Sequence, residues 1–313
     1  MSWNIIITDG MEASGIEALK QRGFKVDVRA VTAAELPSVL PAYDGIIVRS
    51  ATKVRADLID QCPKLKFIAR GGVGLDNIDV EHARQKGIAV INTPASSSRS
   101  VAELAMAHLL GITRSLQWSN RDLKDAASFT ALKKQLSGAG EIAGRTLLLI
   151  GMGRIGRELA RMAIGAGMEV IAFDPFIEHA QIELNIQGTS IEISIELVTF
   201  EEGLSRADYI SLHSPYTGKK LLDENAFSKM KNGVFIINTS RGENLDEQAL
   251  LDALESGRVR GAGLDVFEHE PGIDPRLIHH PQVSVSPHIG ASTEDAQQRI
   301  AEELVEKIVD LTA

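Results

Sequence analysis

The chain carries one cysteine among 313 residues, Cys62, so no disulfide can close within it. That cysteine precedes Pro63 at an expected helix end and reads as a small apolar filler. Cations are in deficit too: 33 Lys and Arg face 42 Asp and Glu, for a formal charge of −9 and a pI near 5.5. A phosphate backbone needs a basic face, and no block of like charge supplies one, which excludes nucleic acid as a partner. No apolar run approaches the roughly 18 residues needed to span a bilayer, so no membrane partner is expected. The start, MSWNIIITDG, lacks a basic leader and meets its first acid at Asp9, which points to a cytoplasmic protein. Paired Cys or His at zinc-ligand spacing are missing as well, and no metal is expected.

What is present is an ordinary composition, 44% apolar, in a chain too long for one comfortable core and suited to two domains. Its organising stretch runs from Thr146 to Pro175, TLLLIGMGRIGRELARMAIGAGMEVIAFDP. Thr146 to Ile150 is short and continuously apolar, as a parallel strand buried on both faces should be. Gly151, Gly153 and Gly156 follow as G-x-G-x-x-G, and Ile155, Leu159, Met162 and Ala163 then recur at helical spacing. A second apolar strand, Glu169 to Phe173, stops at Asp174, 18 residues beyond Gly156 (174 − 156). Glycines so placed allow a tight turn, close approach of backbone to a pyrophosphate, and close packing of helix on strand. The free N–H groups at the helix start face the phosphates, and the acid stands where a ribose-binding carboxylate is expected. The stretch reads as a dinucleotide site. S-adenosylmethionine, whose enzymes also use a glycine turn and an acidic ribose contact, is the rival ligand that it leaves open.

Five short apolar runs open the chain: Asn4 to Thr8, Lys25 to Arg29, Gly45 to Val48, Phe67 to Arg70 and Ala89 to Asn92. Helical patterns lie between them, at Glu12 to Arg22, Ala33 to Leu40, Arg55 to Gln61 and Val80 to Lys86, with Gly23 and Gly87 placed as C-caps. This alternation predicts βαβ units and a parallel sheet, hence a small α/β domain. Its loop Gly71-Gly72-Val73-Gly74 fits a plain turn or a backbone contact to a ligand. Serines Ser96 to Ser98 cap a long apolar helix, Val101 to Trp118, and Arg121 to Ala143 is a polar, poorly periodic connector. From Thr146 the rhythm resumes, with strands at Thr146, Glu169, Tyr209, Phe235, Gly261 to Val266 and Val283 to Ser286. Six is the number of strands in a Rossmann sheet. Gln181 to Thr199 is ambiguous between strand and helix, and Glu294 to Leu311 is a long C-terminal helix.

Ligands of open parallel sheets sit beyond the carboxyl ends of strands. Four polar groups fall there: His213-Ser214-Pro215, Asn238-Thr239-Ser240-Arg241-Gly242, Asp265 with Glu270-Pro271 beyond it, and Pro287-His288-Ile289-Gly290. Singly, each has a bland explanation, such as an ion pair for Arg241, a solvated loop acid for Glu270 and a satisfied interfacial histidine for His288. Jointly they match a reaction. Oxidising an alcohol needs a base for the hydroxyl proton, a cation to hold the substrate and a nicotinamide to take the hydride. His288, Arg241 and the glycine fingerprint supply one each, and Glu270 beside the histidine would favour its charged form.

With GMGRIG and Asp174, INTSRG, GLDVFEHEP and SPHIGAS in this order, the chain resembles the D-isomer-specific 2-hydroxyacid dehydrogenases essentially end to end. VRSATKV at Val48 to Val54, GGVGLDNID at Gly71 to Asp79 and NTP at Asn92 to Pro94 are most similar to the branch that oxidises 3-phospho-D-glycerate, the first step of serine biosynthesis. The resemblance implies NAD as cofactor, a homodimer, and two Rossmann-like, doubly wound α/β domains with the active site in the cleft between them. A discontinuous, flavodoxin-like substrate domain would comprise residues 1–95 plus 291–313, around a cofactor domain of residues 96–290. Arg241 would bind the substrate carboxylate and carbonyl oxygen, and Glu270 would hydrogen-bond His288, which exchanges the proton with the C2 oxygen. Gly151, Gly153, Arg154, Ile155 and Gly156 would meet the pyrophosphate, and Asp174 the ribose. His213, Ser214, Thr239, Ser240, Gly290 and Ala291 would line the cofactor, with Asp265 on the nicotinamide amide. Arg49, Ser50, Val73 and Gly74 would contact substrate.

Three departures accompany the resemblance. Ser97 stands where the family often has Asn, Ser128-Phe129 replaces the connector's usual G-x-W, and the chain stops at Ala313, so no regulatory domain or serine feedback is expected. Glycerate, lactate or glyoxylate and hydroxypyruvate compete as substrates, because the three site residues recognise only the 2-hydroxy acid common to all. The NAD-sensing corepressors that resemble the family form a non-enzymatic alternative, although this chain shows no long disordered extensions. A methyltransferase would have no use for the Arg, Glu and His set.

Overall fold

The five apolar runs at the start of the chain become parallel strands: β1 (Asn4–Ile7), β2 (Lys25–Val28), β3 (Gly45–Val48), β4 (Phe67–Arg70) and β5 (Ala89–Asn92). They form one sheet in the order β2-β1-β3-β4-β5, the flavodoxin-like arrangement. The structure, a computed structural model, describes residues 3–312. Side chains alternate across the strands, so Ile5, Ile7, Ile47 and Phe67 share one face, while Ile6, Ile46, Val48 and Ile68 share the other. Two helices, Ala13–Gln21 with Ile16 and Leu19 and one from the end of the chain, cover the first face. The helix Glu294–Thr312 covers it with Ile300, Leu304 and Ile308, spaced i, i+4, i+8. Residues up to Ser98 and from Ala291 onward accordingly form one compact unit, and Arg99–Gly290 form the other. The helix expected over Ala33 to Leu40 shrinks to one turn at Leu36–Val39 and a 3₁₀ turn at Leu40–Ala42, each with a proline in its first turn. Cys62 is buried, and burial pushes its thiol up to about 11, which suits an inert filler.

The second unit is built on β6 (Thr146–Ile150), β7 (Glu169–Phe173), β8 (Ala180–Ile186), β9 (Thr189–Leu197), β10 (Tyr209–Leu212), β11 (Val234–Asn238), β12 (Val259–Leu264) and β13 (Val283–Val285). The sheet order is β13-β12-β11-β10-β6-β7-β9-β8, with every pairing parallel except β8 on β9. From β9 through β12 this is the Rossmann order 3-2-1-4-5-6, centred on β6. The two strands beyond the expected six come from the ambiguous segment, which is a β-hairpin. Its Ile182↔Ile193 and Leu184↔Ile191 pairs put every second residue on one face, and Gln187 and Gly188 turn with φ of 49° and 85°, the two positive values of a type I′ turn. Ile182 and Ile195 are buried, and each anchors the hairpin by roughly 1.5–3 kcal/mol. Arg157 and Arg161 from the helix Arg154–Gly165 donate to the carbonyls of Gln181 and Glu183, which occupies part of the edge strand's free backbone.

The long helix spans Ser98–Thr113 and breaks at Ser115, whose φ of 53° is left-handed. The connector is not shapeless: Leu116–Asp122 and Ala126–Gln135 are helices, the second opened by a capping box between Asp125 and Ser128. Among the described residues no helix is long and apolar enough to cross a membrane.

Candidate active site

At the end of β6, Gly151 adopts φ +100°, and a Cβ there would meet the His213 carbonyl oxygen at 2.7 Å. A Cβ on Gly156 would sit 2.3 Å from the Gly151 oxygen, so these two glycines set the close contact of helix and strand ends. Gly153 differs. It has an ordinary φ of −71°, serves as N-cap without a side-chain hydrogen bond, and has nothing within 4 Å of its Cβ position. Open space in front of an uncapped helix N-terminus fits a pyrophosphate. Asp174, at the end of β7, receives the N–H groups of Met152 (2.9 Å) and Phe176 (3.0 Å), which ties the glycine turn to the carboxylate that would face a ribose. At the ends of β10 and β11, Ser214 Oγ and Thr239 Oγ1 are buried without a partner in the protein, as residues awaiting a polar ligand should be. The His213 ring donates to or accepts from Ser211 at 2.9 Å, and burial pushes its pKa to about 4, so it is neutral. Arg154 is exposed and Ile155 half-buried on the first helical turn. This set of residues fits a dinucleotide.

Arg241, Glu270 and His288 come from three loops that follow β11, β12 and β13. Fully buried Asn238 shapes the first loop: its Oδ1 accepts from Ser240 N (3.1 Å) and Oγ (2.9 Å), and its Nδ2 donates to the Arg241 carbonyl (2.8 Å). Asn244 Nδ2 ties the same loop to the Ser214 carbonyl (2.9 Å). Gly242 lets it meet the second loop, since a Cβ there would lie 1.9 Å from the Phe267 carbonyl carbon. Glu270 Oε1 accepts the Phe267 N–H (3.0 Å), and its Oε2 lies 2.8 Å from His288 Nδ1. Partial burial works to raise the Glu270 carboxyl, but His288, the Phe267 N–H and the Arg241 charge outweigh it and hold it below the usual range. The hydrogen bond to Glu270 holds His288 above the ordinary imidazole value, against burial and the charge of Arg241. Glu270 therefore takes Nδ1 and leaves Nε2 to exchange a proton. Arg241 is close enough for its charge to bear on both partners.

His288 has φ +54°, a left-handed conformation that costs a non-glycine residue roughly 1–2 kcal/mol. Asp265 holds it there. Its carbonyl accepts the His288 N–H (2.8 Å), its Oδ1 accepts from Ile289 N (2.9 Å) and Ser286 Oγ (2.6 Å), and its Oδ2 accepts from Gly290 N (2.8 Å). At 1% exposure Asp265 braces this loop with the same carboxylate that the resemblance set against the nicotinamide amide. Gly290 is buried, and Ala291 begins the return to the first unit.

The remaining expected residues lie on the first unit. Arg49 follows β3, next to β1, where the strand order reverses and ligands of this sheet type gather. Asp9 Oδ2 accepts the N–H groups of Arg49 (2.8 Å) and Thr52 (3.0 Å), while Asn77 Nδ2 donates to the carbonyls of Arg49 (2.8 Å) and Thr52 (2.6 Å). Ser50 is exposed beside it. Val73 and half-buried Gly74 follow β4, and the Val73 carbonyl accepts Asn92 Nδ2 at 2.7 Å. Asp9, Asn77 and Asn244 escaped the sequence reading, although each stands just past a strand or inside a loop that it marked. Ser286 lay inside the SPHIGAS motif without being assigned a role, and His108, which also bears on the His288 loop, had no local signal.

Residues 106–290 match the model of the D-isomer specific 2-hydroxyacid dehydrogenase, NAD binding domain. Hydroxypyruvate reductase of Thermotoga maritima is 45% identical over 279 residues, which cover 88% of this chain and 86% of that protein. D-3-phosphoglycerate dehydrogenase of Mycobacterium leprae is 41% identical over 310 residues, covering 97% of this chain, which spans only 56% of that relative's length. Among solved structures, the holo form of Rhodotorula graminis D-mandelate dehydrogenase superposes with a TM-score of 0.87 at 26% identity, covering 99% of this chain and 94% of that one. The chain belongs to the NAD-dependent D-isomer specific 2-hydroxyacid dehydrogenases.

Proposed function

We propose that the chain interconverts 3-phospho-D-glycerate and its 2-keto acid, with His288 as the acid/base, Glu270 tuning it and Arg241 binding the substrate. The observation that carries the reaction is the 2.8 Å contact of His288 Nδ1 with Glu270 beside the Arg241 charge. Bound NAD supplies the hydride acceptor, or in reverse the donor. The chain's own residues do the rest. The Arg241 guanidinium offers a planar fork of donors to the substrate carboxylate and to the oxygen on C2, which orients that carbon. His288 Nε2 takes the hydroxyl proton as the C2 oxygen becomes a carbonyl, and Glu270 stabilises the imidazolium so formed. In reduction the same nitrogen returns the proton.

For the substrate, the argument rests on Arg49, whose backbone is clamped by Asp9 and Asn77 at the switch point of the first unit, taken as the substrate domain. A guanidinium on so fixed a backbone suits a phosphate. The Thermotoga relative, which matches most of its own length, favours a second reading, reduction of hydroxypyruvate. A panel of 3-phosphoglycerate, glycerate, lactate and their keto acids, followed at the NADH absorbance, separates the two. If the phosphate is read, Arg49→Ala raises KM for 3-phosphoglycerate far more than for glycerate, and an equal loss on both removes Arg49 from that role.

A further inference from the structure

His108, on the helix Ser98–Thr113, is 5% exposed and points at the sheet rather than at any ligand surface. Its neighbours along the buried face, Ala105, Leu109 and Ile112, are apolar, and a leucine would continue that pattern. The sheet instead makes room for an imidazole: a Cβ on Gly263 would lie 2.5 Å from His108 Cβ. His108 Nδ1 lies 3.0 Å from Ser284 Oγ, and Nε2 lies 2.8 Å from Ser286 Oγ, both on the β13 segment that leads to His288.

The proton count orders these contacts. Ser286 has one hydroxyl proton and donates it to Asp265 Oδ1 at 2.6 Å, so towards His108 it must accept, and Nε2 must carry a hydrogen. Burial lowers the pKa of His108 against the pull of Asp265, which leaves the ring neutral, with Nδ1 bare to accept the Ser284 hydroxyl. Every donor in the series Ser284, His108, Ser286 thus points towards Asp265. That carboxylate in turn holds the N–H groups of Ile289 and Gly290, the two residues that follow the left-handed His288, whose ring meets Glu270. A serine hydroxyl alone can rotate. With its lone pair fixed by His108, Ser286 has one direction left for its proton, and the loop has one register.

We propose that His108 is a positioning residue for His288, acting through Ser286 and Asp265 to hold the loop in its reactive conformation. The inference rests on the reading of His288 as the proton-exchanging group. Asparagine and glutamine at position 108 isolate the link: the amide of Asn overlays Nδ1 and reaches only Ser284, whereas the amide nitrogen of Gln overlays Nε2 and donates to Ser286. Steady-state rates with 3-phosphoglycerate and NAD, and with hydroxypyruvate and NADH, are measured for the full chain beside NADH affinity by fluorescence and Tm. His108→Asn should lower kcat roughly tenfold, the scale of one lost orienting hydrogen bond, with KM and NADH affinity within about twofold of the parent. His108→Gln should keep near-parent kcat. In a Ser286→Ala background the Asn substitution should cost nothing further, because the link is already cut. Equal kcat in the Asn and Gln variants, or losses that multiply with Ser286→Ala, overturns the proposal and leaves His108 a structural filler. His288→Ala separates the two layers: if that variant is inactive while Asn and Gln behave alike, only the role of His108 falls, and if it keeps near-normal rates, the reading of His288 falls and takes this proposal with it.

Discussion

Gly242→Ala tests whether the separation of two loops governs the candidate site. The added Cβ would lie 1.9 Å from the carbonyl carbon of Phe267, 2.0 Å from its oxygen and 2.6 Å from Glu268 N. Ordinary contact begins at 3.4 Å, so the shortfall at the oxygen is 1.4 Å (3.4 − 2.0). All three atoms are backbone, with no rotamer to absorb the overlap, and one loop must move by about 1 Å relative to the other. Arg241 rides on one of those loops and Glu270 on the other. Misplacement of that size costs on the order of 10²-fold in rate, and the overpacking costs about 1–3 kcal/mol of stability. At roughly 2–4 °C per kcal/mol, Tm should fall by several degrees while the protein still folds. The assay is kcat/KM in both directions beside NADH binding, which should fall much less than kcat/KM because the glycine cradle lies elsewhere and only Thr239 and Ser240 of the cofactor residues share the displaced loop. A stable variant with kcat/KM within threefold of the parent would refute the reasoning, since the loops would then part without consequence.

Gly153→Ala is the complementary case: its φ of −71° accepts alanine and its Cβ meets nothing, so Tm should hold while the KM for NAD rises at least tenfold, read by initial rates at varied cofactor. His213 binds its proton more weakly in the folded state, near pH 4, than in the unfolded chain, near 6.5, so the unfolded state gains protons first as the pH falls. Its contribution is whole above about pH 6.5 and is lost between there and pH 4; urea unfolding across that window should show a decline of a few kcal/mol at most that His213→Leu flattens.

The parallel strands and the glycine cradle were legible because their signals are local: continuous apolar runs, glycines at fixed offsets, and an acid at the next strand's end. Arg241, Glu270 and His288 could be nominated because each lies just past a strand, and a doubly wound sheet collects those ends on one side. The hairpin was obscured because isoleucines alternating with Glu, Gln and Ser over Gln181 to Thr199 also satisfy a loose helical spacing, and only the Gln187-Gly188 turn decides between them. The bracing of the site was illegible for a different reason. Asp265 receives Ser286 and the N–H groups of Ile289 and Gly290 across more than twenty positions, and His108 meets Ser286 across 178, so no window of sequence contains the pattern. The Ala33 to Leu40 segment shows the reverse error, in which apolar spacing was read as one continuous helix of about two turns although Pro37 and Pro41 fall in separate single turns.

The central claim is that His288 exchanges the proton and that Glu270 sets its pKa. Oxidation requires the neutral ring, and reduction the charged one. Glu270, through its hydrogen bond and its charge, raises the pH at which His288 loses its proton, so Glu270→Gln should lower it. The measurement is kcat/KM against pH in both directions for the parent and this variant. The acid limb of oxidation and the alkaline limb of reduction should both move to lower pH by the same interval, while His288→Ala is depressed at every pH. Limbs that stay where they are in Glu270→Gln, or near-normal rates in His288→Ala, would contradict the account and send the proton to another residue.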